Sequence, residues 1–174
     1  MEISALINLK TPAEIELIRA SGRIASQTLD FLAEYARPGV TTEELNRLGH
    51  DFMVEQGAAP STLDYRGYPK SMCISINEVV VHGIPGPRKL REGDIVTIDV
   101  TAYKNGFHGD TARTFLVGQV SPRARRLVDT TQESMDLAIQ ICRVGGHLGD
   151  IGAVAQSRVE AEGFSVVRAF VGHG

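Results

Sequence analysis

Ile95-Val96-Thr97-Ile98-Asp99-Val100-Thr101-Ala102-Tyr103 and Phe107-His108-Gly109-Asp110-Thr111-Ala112-Arg113-Thr114-Phe115-Leu116-Val117 are separated by Lys104-Asn105-Gly106. Both runs are rich in β-branched residues, and Asn-Gly between two such runs is a strong signal for a type I′ hairpin. A two-residue turn sets Lys104 opposite Phe107 and, counting back, Thr101 opposite Asp110. Asp99 lies two residues from Thr101, so both aspartates project from one face as diagonal neighbours, with Cα atoms about 7–8 Å apart. Two like charges on a buried face are costly unless a proton or a cation neutralises them. A pair of divalent cations does this well, one carboxylate chelating the first ion while another bridges both at about 3.5–4 Å separation. The competing reading makes both aspartates turn-proximal residues on a solvated face. Asp99 argues against it, because it follows the apolar run Ile95-Val96-Thr97-Ile98.

Outward from the hairpin, the chain alternates helical and extended patterns. Thr11-Pro12-Ala13-Glu14 reads as a helix start, with an N-cap threonine, proline at the first helical position and a glutamate placed to close a capping box. Ile15, Ile18, Ile24, Leu29 and Leu32 give its apolar stripe, and Arg37-Pro38-Gly39 stops it. Thr41-Thr42-Glu43-Glu44 opens a second helix with Leu45, Leu48, Phe52 and Val54 as apolar positions and Gly57 as C-terminal cap. Residues 58–70 read as irregular, and Met72–Ile76 and Val79–Val81 as strands. Ser121-Pro122 caps a third helix to about Val144, a fourth covers roughly Gly149–Glu162, and Phe164–Val171 reads as a final strand.

The helices repeat. A shift of 106 residues places Asp30 on Asp136, Arg37 on Arg143, Gly39 on Gly145, Leu45 on Ile151 and Gly57 on Gly163. The expectation is one domain over residues 1–174, with pseudo-repeat halves of about 12–120 and 121–174 and the second incomplete.

With 174 residues, 43% apolar and 22% charged, and a net charge of −3, the chain can bury a core and offers no polybasic tract for nucleic acid or an anionic membrane. No apolar run approaches the roughly 18–20 residues a bilayer needs. Met1-Glu2-Ile3-Ser4 lacks the pattern of a signal peptide. Cys73 and Cys142 are too few for a disulfide framework, so a reduced, cytoplasmic setting is the default.

Five histidines need weighing. His173, between Gly172 and Gly174, reads either as a terminal residue of no consequence or as a ligand with room for close packing. His82, where a strand meets a Gly/Pro turn, is by default a structural histidine. His108 shares the face of Asp110 in a regular strand and is at most a supporting residue, and His50 and His147 carry no role.

Tyr65-Arg66-Gly67-Tyr68-Pro69-Lys70-Ser71, Ser75-Ile76-Asn77-Glu78-Val79-Val80-Val81-His82-Gly83-Ile84-Pro85, Gly93-Asp94-Ile95-Val96 through Asp99-Val100-Thr101, Asp110-Thr111 and Gly172-His173-Gly174 together resemble type I methionine aminopeptidases of the short bacterial form. The match runs in order along essentially the whole chain from Thr11. The resemblance implies the pita-bread fold, an α+β architecture in which a curved, mainly antiparallel sheet is backed by two pseudo-symmetric helix pairs. It also implies a cytosolic dinuclear metalloprotease, usually monomeric, that removes the initiator methionine from nascent polypeptides with a small second residue, with the ribosome as a further partner.

By the same resemblance Asp99 chelates one metal, Asp110 bridges both and His173 binds the second. His82 is the catalytic, substrate-contacting histidine, and Tyr65, Tyr68 and Cys73 build part of the methionine pocket. Thr62 stands where the family often has cysteine, a departure expected to adjust fit more than chemistry. The implied chemistry is attack of a metal-bound hydroxide on the peptide carbonyl. Oxygen and imidazole ligands suit Co, Mn, Fe or Zn.

Two further glutamate ligands of the family lie beyond the Gly-His-Gly motif, so this chain is expected to bind at most one ion weakly and to be weakly active or inactive alone. An exposed strand edge carrying His173 would favour association with another chain. Three readings follow: a C-terminally truncated aminopeptidase, a non-catalytic relative that binds nascent chains or ribosomes, and a half-enzyme that needs a complementing fragment.

Overall fold

The computed structural model describes residues 8–173, so Gly174 of the Gly-His-Gly motif and the N-terminal Met1–Ser4 lie outside the described residues. The chain forms two compact units, Met1–Val120 and Ser121–Gly174.

The first unit opens with helix α1, Pro12–Ala33, begun by the expected capping box: the Thr11 side chain accepts from Glu14 N, and Glu14 Oε2 accepts from Thr11 N at 2.7 Å. Helix α2, Thr42–Glu55, is capped by Thr41 and ends at Gly57, whose φ of +70° is the left-handed conformation that closes helices. A two-residue strand β1, Ala59–Pro60, and a 3₁₀ turn, Tyr65–Gly67, follow within the stretch expected to be irregular. Strands β2, Cys73–Ile76, β3, Ile95–Lys104, and β4, Phe107–Leu116, complete the sheet. All pairings are antiparallel, with β4 along one edge of β3 and β2 and β1 sharing the other.

The hairpin has the register that its turn dictates. Lys104 pairs with Phe107, Thr101 with Asp110 and Asp99 with Ala112. Asn105 and Gly106 both have positive φ, at +53° and +88°, as a type I′ turn requires. Along β3 the alternation is regular: Val96, Ile98, Val100 and Ala102 are buried, while Thr97, Asp99 and Thr101 face the other side and are half-buried. The buried row packs with Ile24, Leu29 and Leu32 of α1 and Leu45 and Met53 of α2 into one apolar core. The helices thus cover one face of the sheet and leave the aspartate face to other uses.

Three expectations fail. Val79–Val81 is not a strand: β2 ends at Ile76, and the next residue, Asn77, has a φ of +53° and a side chain that bonds both Asp94 and the Ile95 amide. The chain then doubles back so that Gly83 O accepts from Ile74 N, and the three valines sit exposed on the reversal. Residues 164–171 pair with no described strand and therefore form none, since a strand exists only through its ladder. With it goes the expected edge carrying His173. Ile15 and Val54, assigned to apolar stripes, are 42% and 51% exposed.

The second unit holds α3, Pro122–Gln140, capped by Ser121 and ending short of Val144, and α4, Leu148–Ala161. A shift of 106 residues carries the limits of α2 onto those of α4 and the glycines at 39 and 57 onto Gly145 and Gly163. All four glycines have positive φ. Arg158 of α4 grips α3 through Glu133 and braces its own helix through Glu162 at 2.9 Å.

Candidate metal centre and substrate face

Asp99 and Asp110 meet on the sheet face turned away from the helices. Because directly opposed residues share a face, Cys73 (paired with Asp99), Ser75 (paired with Thr97) and Thr101 (paired with Asp110) line the same side. Thr101 Oγ1 donates to Asp110 Oδ1 at 3.1 Å, and Thr97 and Thr114 join hydroxyls at 2.8 Å further along. This face is half-open rather than buried: Asp99 is partly covered and Asp110 exposed. Any cation here would be favoured by the proximity of two carboxylates more than by loss of water, which corrects the expectation of a buried pair.

Tyr68 and Cys73 belong to the same cluster. Tyr68 Oη donates to Gly83 O at 2.9 Å or Met72 O at 3.2 Å and lies within hydrogen-bonding reach of the Cys73 thiol. Burial first, then Cys73 and the Asp99 charge, push the Tyr68 phenol well above its ordinary value. Burial likewise raises Cys73, the Tyr68 hydrogen bond opposes it, and Asp99 and Asp110 add to the rise. Cys73 is thus held as a neutral thiol, which leaves oxygen donors as the anionic groups of this face.

Both groups are acids kept protonated, so the folded state binds more protons than the unfolded one in the alkaline range. Their contribution is complete below the ordinary thiol value of about 8.5 and is lost as pH climbs past it and past about 10 for the phenol. At pH 8, one thiol, the exposed Cys142, is expected to react quickly with Ellman's reagent, while buried Cys73 reacts only at the rate of opening. Two equally fast thiols would contradict this assignment.

The other expected residues are placed as follows. His82 sits exposed on the loop after β2 with a φ of +56°, and its neighbour Gly83 is held by Tyr68. Tyr65 is 62% exposed beneath the Arg66 guanidinium, one turn from Tyr68. His173 belongs to the second unit and lies in an exposed segment without regular structure. His108 bonds Ser61 at 2.8 Å and packs at a tilt against the Tyr103 ring, at the turn end of the aspartate face. His50 is committed to Ser71 at 2.8 Å. Thr62 Oγ1 is buried with no hydrogen-bond partner among the described residues. A hollow of about 440 Å³ in the second unit, lined by Pro122, Arg126 and Phe164, contains none of these residues.

The donor set fits hard or borderline divalent cations: two carboxylates with spare lone pairs on a half-open face, and no thiolate competing. Cys73 adjoins the pair as a neutral thiol, and among the described residues no group of three or more His, Cys, Asp or Glu is placed to hold a metal ion.

The fold class is that of a metallopeptidase: the chain belongs to metallopeptidase family M24, whose profile matches residues 16–174. Its relatives there are methionine aminopeptidases, as the motifs indicated. It is 53% identical over 170 residues to the methionine aminopeptidase of Escherichia coli (strain K12), covering 97% of this chain and 64% of that one. The crystal structure of methionine aminopeptidase from Rickettsia prowazekii matches with a TM-score of 0.95 at 45% identity, covering 97% of this chain and 68% of the other. The prolidase from Pyrococcus furiosus shares the fold, with a TM-score of 0.78 at 22% identity over 89% of this chain and 44% of that one. The fold is the pita-bread fold, and the chain spans a little under two thirds of the length of the Escherichia coli relative.

Proposed function

We propose that this chain serves metal-dependent removal of the initiator methionine from nascent polypeptides whose second residue is small. The observation that carries the reading is the pair Asp99 and Asp110 on one half-open face, beside Tyr68 and Cys73, in a chain of this family. Asp99 and Asp110 are the carboxylates that would hold divalent cations (Co, Mn, Fe or Zn), and the Gly172-His173-Gly174 match assigns His173 as a further ligand. When bound, such cations supply Lewis acidity towards the scissile carbonyl and a nucleophile at neutral pH.

The remaining roles fall to side chains of the chain itself. Tyr68 and Cys73, both neutral, offer the methionine side chain a surface without charge, and Tyr65 borders it. His82 reaches the substrate nitrogen from the loop after β2. Nascent N-termini are the substrate class, and the ribosome is the assembly where they are met.

The test is turnover of a Met-Ala-Ser peptide with added Co²⁺ or Mn²⁺, using the 174-residue polypeptide alone and with the part of the Escherichia coli relative that it does not span. The polypeptide alone offers three of the expected ligands and should show at most one weak site by calorimetry and little turnover, with turnover rising once the two parts are fused. Robust turnover or two tight sites in the isolated chain would show that no further glutamates are needed. Turnover with a separately added fragment selects the half-enzyme, and ribosome binding without turnover in any arrangement selects the non-catalytic relative.

A further inference from the structure

His82 occupies a left-handed backbone conformation, φ +56°, which L-residues with a side chain adopt at a cost. The apolar residues around it, Val79, Val80, Val81 and Ile84, are all exposed, so core packing does not set this loop. A defined restraint acts on the next residue. Gly83 lies against the edge of β2 that β3 leaves unpaired: its carbonyl accepts from Ile74 N at 2.8 Å and from Tyr68 Oη at 2.9 Å. Its amide donates to Ser75 Oγ at 3.2 Å. The approach is so close that a Cβ at position 83 would stand 2.3 Å from Ile74 O, which explains glycine there.

Ser75 is 5% exposed in a strand whose other members are Cys73, Ile74 and Ile76. Nothing in the sheet ladder needs a hydroxyl at this position, because ladder bonds run from backbone to backbone. The acceptor that the Gly83 amide finds is this hydroxyl, at 3.2 Å.

We propose that Ser75 is a positioning residue for His82: its hydroxyl fixes the Gly83 amide and so sets the backbone from which the imidazole is presented to the aspartate face. Ser75 itself does not touch the substrate. The inference rests on the reading of His82 as the substrate-contacting histidine, and the experiment separates the two.

In the chain as it stands, Ser75→Ala should raise hydrogen exchange at the Gly83 amide at least tenfold. It should also move the His82 ring cross-peak (assigned with His82→Gln) towards the value of a mobile histidine, while Ser75→Thr keeps both at their original positions. In the preparation that turns over Met-Ala-Ser, Ser75→Ala should lower kcat about tenfold, leave metal affinity unchanged, and have no further effect in a His82→Ala background. Unchanged Gly83 exchange and an unmoved His82 peak would overturn the proposal. So would a tenfold loss that persists when His82 is already alanine, which would mark Ser75 as merely structural. A His82→Ala protein with full turnover would overturn the reading of His82 itself, and this inference with it, while the amide exchange would still report whether Ser75 holds the loop.

Discussion

Alanine at Gly109 is expected to cost the first unit about 3 kcal/mol or more, whereas alanine at Gly22, which touches it, is expected to stabilise. Gly109 on β4 lies so close to α1 that a Cβ there would stand 2.1 Å from Gly22 N and 2.3 Å from Ser21 C. Both are backbone atoms, so no rotamer change relieves the overlap and the helix itself must move. Displacing a packed helix carries the upper end of the overpacking penalty, about 3 kcal/mol. That displacement also separates Ser21 from the hairpin, where its buried hydroxyl shares its proton between Phe107 O at 3.0 Å and Lys104 O at 3.3 Å.

The reverse substitution has a different geometry. A Cβ on Gly22 would meet nothing within 4 Å, so Gly22→Ala gains the helix propensity of alanine, about 0.5–1 kcal/mol, without a clash. Urea titration or thermal unfolding of the two variants reads the signs directly. A Gly109→Ala protein as stable as the parent would mean that α1 does not lie on β4 as closely as described.

The contrast between these glycines bears on what a sequence discloses. Asn105-Gly106 fixes the hairpin register because a type I′ turn of two residues permits only one pairing, and from that register the two aspartates follow. The helix starts at Thr11, Thr41 and Ser121 are legible for the same reason: a side-chain oxygen must satisfy amides that the helix cannot. The segments that depart from their local propensity do so through contacts remote in sequence. Val79–Val81 has strand propensity but lies on a reversal, because the β2 edge is taken by Gly83. Residues 164–171 have the same propensity and no partner strand among the described residues.

The site divides along the same line. Asp99, Asp110 and Cys73 share a face through ladder geometry that a strand pattern already contains. The clamp on His82 involves Tyr68, Ser75 and Ile74 acting on one glycine, and neither Ser75 nor Gly83 carries a local pattern that would have marked it. The available signal was indirect: a serine in an otherwise apolar strand, eight residues before a glycine that follows a histidine. Family resemblance named His82, and geometry supplies the reason that it is held.

Neutralising either aspartate is expected to abolish detectable Co²⁺ or Mn²⁺ binding while leaving the metal-free protein at least as stable as the parent. Asp99→Asn and Asp110→Asn keep shape and remove charge. The amide oxygen introduced by Asp110→Asn could still accept from Thr101, as the Asp110 carboxylate does at 3.1 Å. A carboxylate and a cation attract by about 4 kcal/mol per unit charge at 4 Å in a dielectric near 20, so losing one ligand charge weakens binding by roughly a thousandfold. In the fused preparation, turnover should fall by at least as much.

Without metal the sign reverses. The two carboxylates repel across a half-solvated face, so removing one relieves about 0.5 kcal/mol at a water-like dielectric and about 2 kcal/mol at a dielectric near 20, for a separation of about 7–8 Å. Asp30→Asn is the comparison: it breaks only an exposed pair with Arg113 at 2.8 Å, should change stability by less than about 1 kcal/mol, and should leave metal binding intact. Calorimetry with Mn²⁺ and thermal unfolding in chelator measure both quantities on the same proteins. If Asp99 and Asp110 were ordinary structural carboxylates, their asparagine variants would lose stability and keep whatever cation affinity the chain has. A pair maintained for cations does the opposite, because its repulsion is useful only when something positive sits between the charges.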